Sequence, residues 1–125
     1  MARTRAQQKG DQAEGRARSH LQDAGHRVVA ANYHCRGGEL DLVTLDGETL
    51  VFVEVRARAT AEHGRPEATV DWRKRKRLLQ AARHFLGHHP DHARRLIRFD
   101  VVAVTGEAID WIRDAFRPDQ TGLWH

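Results

Sequence analysis

Carboxylates inside apolar β-strands are costly to bury, yet two of them stand close together in this chain. Asp41 lies in Glu39-Leu40-Asp41-Leu42-Val43 and Glu54 in Val51-Phe52-Val53-Glu54-Val55-Arg56, with Asp46-Gly47 between the runs as a hairpin cue. A two- or four-residue loop centred on that dipeptide sets Leu45 opposite Glu48 and Asp41 opposite Phe52. Side chains alternate with period two, so Asp41, Phe52, Glu54 and Arg56 project from one face, and Leu40, Leu42, Val51, Val53 and Val55 from the other. Glu54 then becomes a diagonal neighbour of Asp41 at about 7–8 Å. Two carboxylates so placed can hold one divalent cation at about 2.0–2.6 Å per oxygen. An ion pair between Asp41 and Arg56, with Glu54 on a solvated edge, is the alternative.

The strand that carries Glu54 has apolar residues on both faces, which predicts an α/β domain with a mixed sheet covered by helices. The first helix is expected from Thr4 to Ala24, with Ala13, Ala17 and Leu21 at helical spacing and Gly25 at its end. Glu14 falls on the inward side of that helix and is either an edge residue paired with an Arg or a third carboxylate aimed at the sheet. Strands follow at Arg27 to Tyr33, Glu39 to Leu45 and Thr49 to Ala57. His34 to Gly38 reads as a flexible loop, and Ala59 to Glu67 as a mobile connection. A second helix, from Asp71 to Leu86, buries Leu78, Leu79, Ala82, Phe85 and Leu86. Its basic start places Arg75 in line with this stripe and Lys74 on the flank, with Arg73, Lys76 and Arg77 facing away. Inward charges cannot lie in a dry core, so that end should open onto a cleft or a phosphate. Leu96 to Val104 and Ala108 to Arg113 are the last strands, and Asp100 within the first of them reads as structural.

The chain has 125 residues, enough for one domain over 1–125, with 1–5 and 117–125 as loose tails. A net charge of +4 with 18 Arg against 3 Lys suits a phosphate-bearing partner. Cys35 is the single cysteine, which excludes an internal disulfide and fits a reducing compartment. No apolar stretch approaches the roughly 18 residues of a membrane span, and Met1 to Gly10 has no signal-peptide core, so a cytoplasmic protein without membrane partners is expected. The nine histidines show no metal-ligand spacing, since no His-x-x-x-His pair falls on one predicted helix face.

The order helix, strand, strand, strand, helix, strand, plus a final strand, resembles the restriction-endonuclease-like core, whose signature is an acidic residue, then Asp, then Glu-x-Lys. More closely, the chain is similar to the YraN family of small bacterial proteins in that superfamily. The similarity rests on Gly10 and Glu14 to Ala17, on Arg36-Gly37-Gly38-Glu39-Leu40-Asp41-Leu42-Val43 and on Leu50-Val51-Phe52-Val53-Glu54-Val55-Arg56. Lys74 with Leu78, Ala81 and Ala82, and Arg98-Phe99-Asp100-Val101-Val102-Ala103-Val104, extend it.

The resemblance implies that Asp41 and Glu54 bind Mg2+ or Mn2+ with the Val55 carbonyl as a further ligand, Glu14 assisting. Arg56 stands where the superfamily commonly has Lys; it can neutralise charge but does not readily accept a proton. Lys74 is a second source of an amine. Arg36, Arg58, Lys74 and Arg75 are candidates for nucleic-acid contacts. Three functional readings follow: an endonuclease acting on DNA, with branched or damaged DNA among its substrates; a nucleic-acid-binding module of the same fold with weak or no turnover; and an accessory protein whose carboxylates form buried ion pairs. Many nucleases of this fold pair to cut two strands, so a homodimer is a further expectation.

Overall fold

Thr4 sets the start of the first helix, α1 (Arg5–Asp23): its hydroxyl accepts from the Gln7 amide at 3.1 Å, and the Gln7 side chain accepts from the Thr4 amide at 2.9 Å. This reciprocal cap satisfies two donors that a helix start leaves open. The computed structural model describes residues 4–58 and 70–118. After α1 come β1 (Arg27–Cys35), β2 (Gly38–Asp46), β3 (Thr49–Arg58), α2 (Trp72–His88), a short 3-10 helix at Pro90–His92, β4 (Ile97–Thr105) and β5 (Ala108–Phe116). The predicted connection at Ala59 to Glu67 lies outside the described residues.

The five strands lie in chain order in one sheet, antiparallel except for the parallel pair β3 and β4. Parallel neighbours need a crossover, and α2 stands between them in the chain. The expected α/β architecture with a mixed sheet and a helix on each face is what forms. Ala13, Ala17 and Leu21 of α1 pack on Leu42, Val51, Val53, Val102 and Val104. On the other face Leu78, Leu79, Ala82 and Phe85 of α2 pack on Val43, Leu45, Leu50, Phe52 and Phe99. Alternate residues of β3 thus enter opposite cores, and each fully buried Phe or Val contributes about 2 kcal/mol. Among the described residues no helix is long and apolar enough to cross a membrane.

Four local expectations are corrected. His34 to Gly38 is not a flexible loop: β1 runs through Cys35, β2 starts at Gly38, and Cys35 pairs with Gly38 around the two-residue turn Arg36-Gly37, where Gly37 has φ +85. The hairpin between β2 and β3 turns at Gly47-Glu48, pairing Asp46 with Thr49 and Val43 with Phe52, so Asp41 does not face Phe52. Both partners slide by one residue and parity is kept. Leu40 packs in the α2 cluster although Leu42 packs in the α1 cluster, because the strand is irregular at Asp41. Finally, β5 continues to Phe116 across a bulge at which Asp114 has φ +53.

That bulge is held by Asp100, fully buried, as the structural reading expected. Its carboxylate accepts from Arg98 Nε at 2.8 Å and Nη2 at 3.1 Å, from Trp111 Nε1 at 2.9 Å and from the Asp114 amide at 2.9 Å. Removing it leaves the Trp111 indole and the Asp114 amide without their acceptor and Arg98 with Asp46 alone, at 3.1 Å, so Asp100→Ala should cost about 3–5 kcal/mol in urea denaturation.

Gly38 has a different constraint: a Cβ there would stand 2.3 Å from the Arg77 carbonyl and 3.0 Å from the Ala81 amide. Backbone cannot yield as a side-chain tip can, so α2 sits this close to β2 only over a glycine. Gly38→Ala should therefore lower stability by about 1–3 kcal/mol in the same measurement, whereas Gly10→Ala, with open space around it, should not.

Candidate active site

The regular pairing of β2 with β3 reaches Leu42 and Val53 and goes no further. The next residues toward the sheet end are Asp41 and Glu54, and here a side chain takes the place of the ladder: Asp41 Oδ2 accepts from the Val55 amide at 2.7 Å. Beside it on β1, Asn32 adopts φ +53. A short amide side chain tolerates that conformation, and its Nδ2 donates to Glu14 Oε1 at 2.9 Å, drawing the α1 carboxylate toward the same end of the sheet.

Glu54 follows Phe52 on the α2 side and is 5% exposed. Its carboxyl lies within hydrogen-bonding contact of the Asp41 carboxyl. Burial is the main reason that both hold a proton more tightly than usual, and for Glu54 the Asp41 charge adds to it, pushing Glu54 up to about 7. Glu14 is raised as well, first by burial and then by Asp41. Three acids therefore share a region that resists their combined negative charge.

Two cations offset it in part. Lys74 Nζ is 2.5 Å from Glu54 Oε1, and Arg56 Nη1 is 3.8 Å from the same oxygen. Lys74 is positioned by the first turn of α2, where Asp71 caps the helix by accepting from the Lys74 amide at 3.0 Å. Lys74 and Arg56 thus reach one carboxylate oxygen from different elements.

Grooves open on both sides of the acid pair. Asp41, Glu14 and Val55 line one beside α1, together with Asp11, His34 and Glu39. Glu54 and Lys74 line the other beside α2, with Asp71, Arg73 and Arg77. Glu39 lines both. Among the described residues no three His, Cys, Asp or Glu side chains come close enough to hold an ion between them. The donor set is the half-buried Asp41 and the buried Glu54, with the Val55 main chain beside them. Mg2+ is commonly held by one or two carboxylates, with waters and substrate phosphates filling the remaining positions, so this chemistry fits such an ion.

Of the residues singled out in the sequence, Asp41, Glu54, Arg56 and Lys74 meet directly, and Glu14 and Val55 share the Asp41 groove. Arg58, at the end of β3, lines a neighbouring groove with Lys9 and Gln12. Arg36 stands exposed in the β1–β2 turn. Arg75 does not reach the acids: its Nε donates to the Val70 carbonyl at 2.9 Å, and its guanidinium lies 5.0 Å from the centre of the Phe116 ring. One residue is 100° of helix, so Lys74 and Arg75 leave opposite flanks of the buried stripe. Arg73 and Arg77, expected to face away, line the Glu54 groove instead. Their shared helical flank with Lys74 was the available signal. Lys76 does turn away, over the Trp72 ring at 5.5 Å. Asn32 carried no sequence signal for its role.

A mixed five-stranded sheet between two helices, ending in an acid pair faced by a lysine and an arginine, defines this α/β protein. The chain belongs to the family described as "Uncharacterised protein family UPF0102", whose model matches residues 13–104, from α1 through most of β4. This is the YraN family that the sequence resembles. A UPF0102 protein of Xanthomonas oryzae pv. oryzae is 54% identical over 115 residues, covering 90% of this chain and 94% of the relative. One from Halorhodospira halophila is 47% identical over 112 residues, covering 90% and 89%. Another, from Burkholderia ambifaria, is 55% identical over 108 residues, covering 85% and 74%.

The raised Glu54 fixes a pH dependence. A carboxyl that binds its proton more tightly when folded contributes stability fully below its unfolded value of about 4.3, and this contribution is lost as pH rises through about 7. In chelator-containing buffer the protein should lose about 2 kcal/mol between about pH 5 and about pH 8 from this group. Glu54→Gln, which cannot ionise, should lose correspondingly less. Equal pH slopes in urea titrations of the two proteins would refute this account of the acid pair.

Proposed function

We propose that this protein is a divalent-metal-dependent endonuclease with a restriction-endonuclease-like core, hydrolysing phosphodiester bonds in DNA. The observation that carries the reading is the contact of the half-buried Asp41 carboxyl with the buried Glu54 carboxyl beside Lys74 and Arg56. The element order and the parallel β3–β4 pair joined through α2 support the fold assignment. The family resemblance supports the choice of ion and substrate.

Mg2+ or Mn2+ at Asp41, Glu54 and the Val55 carbonyl would supply a positive centre that activates water and neutralises phosphate charge. The remaining work belongs to the chain. Asp41 is oriented by the Val55 amide on Oδ2, so its other oxygen has a set direction. Glu14, held by Asn32, assists from α1 by accepting hydrogen bonds from water at the edge of the groove. Lys74 and Arg56 hold positive charge where the phosphoryl oxygens gain negative charge. The Arg56 guanidinium stays protonated and serves as a fixed charge, whereas the Lys74 ammonium is a compact donor that can turn toward a phosphate. Arg73 and Arg77 extend the positive wall along the α2 groove, where a DNA backbone would run.

A second reading is a nucleic-acid-binding protein with weak or no turnover. It is favoured by the engagement of Glu54 with two cations, which compete with a metal for the same oxygen.

Purified protein incubated with linear, nicked and branched DNA and Mg2+ or Mn2+ should cut at least one form. Cleavage should disappear in Asp41→Ala and in Glu54→Ala, and fall about 100-fold in Lys74→Ala, while salt-sensitive DNA binding persists. Binding without cleavage in the parent and all variants would select the second reading. Absence of salt-sensitive binding would remove both.

A further inference from the structure

Trp72 opens α2 and serves neither its cap nor its core. The cap belongs to Asp71, which accepts from the Lys74 amide at 3.0 Å, and the buried residues of the helix begin at Leu78. The indole is instead 59% exposed. So large a ring in water forgoes the burial that Phe52, Phe85 and Phe99 obtain in full. A single exposed aromatic side chain is ordinary on a protein surface, and its neighbours are what distinguish this one.

One residue is 100° of helix, so residues 72–77 can be placed around the α2 axis. Starting at Lys74, which meets Glu54, and turning away from the buried stripe, Arg77 follows at about 60°, Arg73 at about 100°, Lys76 at about 160° and Trp72 at about 200°. Arg75 leaves on the other flank, against Phe116. The arc is therefore four cations ending in an indole. Its first three residues line the Glu54 groove, and at its far end Lys76 Nζ stands 5.5 Å from the centre of the Trp72 ring. It rises about 7.5 Å along the helix and, at an outer radius of about 5–6 Å, runs about 20 Å around it, a length that a few nucleotides cover.

The two kinds of side chain on this arc suit the two parts of a nucleotide. Arginine and lysine attract phosphate, and the indole offers a flat apolar face to a base. A base within a duplex is already stacked on both sides, whereas an unpaired one has a face to give. We propose that Trp72 is a stacking platform for an unpaired nucleobase of a DNA strand whose backbone leaves the Glu54 groove across Arg77, Arg73 and Lys76. On the nuclease reading, on which this role rests, the preferred substrate carries single-stranded nucleotides beside the phosphodiester at the acid pair. An uninterrupted duplex leaves Trp72 unused. Lys76, on a flexible four-carbon stem, turns from the ring to a phosphate as the base arrives.

Fluorescence anisotropy of a labelled oligothymidylate and of a labelled blunt duplex of equal length tests the role on the full chain, in chelator-containing buffer so that no strand is cut. Trp72→Ala should bind the oligothymidylate about 10-fold more weakly than the parent, and the duplex less than about 2-fold more weakly. Trp72→Phe, which keeps a smaller ring, should fall between. Unlabelled oligothymidylate should quench indole emission in the parent, and that quenching should be lost in Trp72→Phe, where Trp111 and Trp124 remain. Parental affinity of Trp72→Ala for the oligothymidylate, or equal losses on oligothymidylate and duplex, would overturn the stacking role while salt-sensitive binding by the parent upholds the DNA reading. Absence of binding by the parent to either DNA would overturn both.

Discussion

Asp41 and Glu54 are pressed together at the point where β2 and β3 stop pairing, and the surrounding architecture is organised by that like-charge contact. Two carboxyls in one buried place resist ionising together, so the site demands positive charge from outside the hairpin. Arg56 supplies some from the same strand and Lys74 supplies more from α2. The crossover that makes β3 and β4 parallel is therefore also the element that brings a cation to the acids. Gly38, by letting the helix backbone lie against β2, sets how near that helix can come.

Aspartates serve the sheet in two comparable ways. Asp41 takes the Val55 amide where the β2–β3 ladder ends, and Asp100 takes the Asp114 amide where the β4–β5 ladder bulges. Each replaces a missing main-chain acceptor, as a buried amide requires. Their surroundings then separate them. Asp100 is saturated by a guanidinium, an indole and an amide, and is enclosed; Asp41 has one amide, a second acid beside it and a groove open to α1. The first arrangement is complete, and the second has capacity left for a ligand.

Burial on two faces explains how a domain of this size holds a charged site at one end. Each helix covers its own side of the sheet with small and branched residues, so the centre of β3 is dry on both sides while its end is not. Arg75 illustrates the boundary. On the flank of the apolar stripe, it is accommodated by stacking on Phe116 and bonding the Val70 carbonyl, which engages the guanidinium without a phosphate.

The chain alone determined the helices, the strands and the placing of Asp41 and Glu54 on the two arms of one hairpin, because these follow from local periodicity, capping residues and the turn signal between the arms. Sliding both partners by one residue kept the parity of the regular ladder from Leu42 to Asp46, but not at Asp41, which lines the α1 groove while Glu54 lines the α2 groove. Tertiary structure decided the rest. Whether β2 changes face at Asp41, which arginines of α2 line the Glu54 groove, and how far α2 extends past Leu86 all depend on how the helix lies on the sheet. Contacts between distant segments govern these features, and no spacing within one segment encodes them.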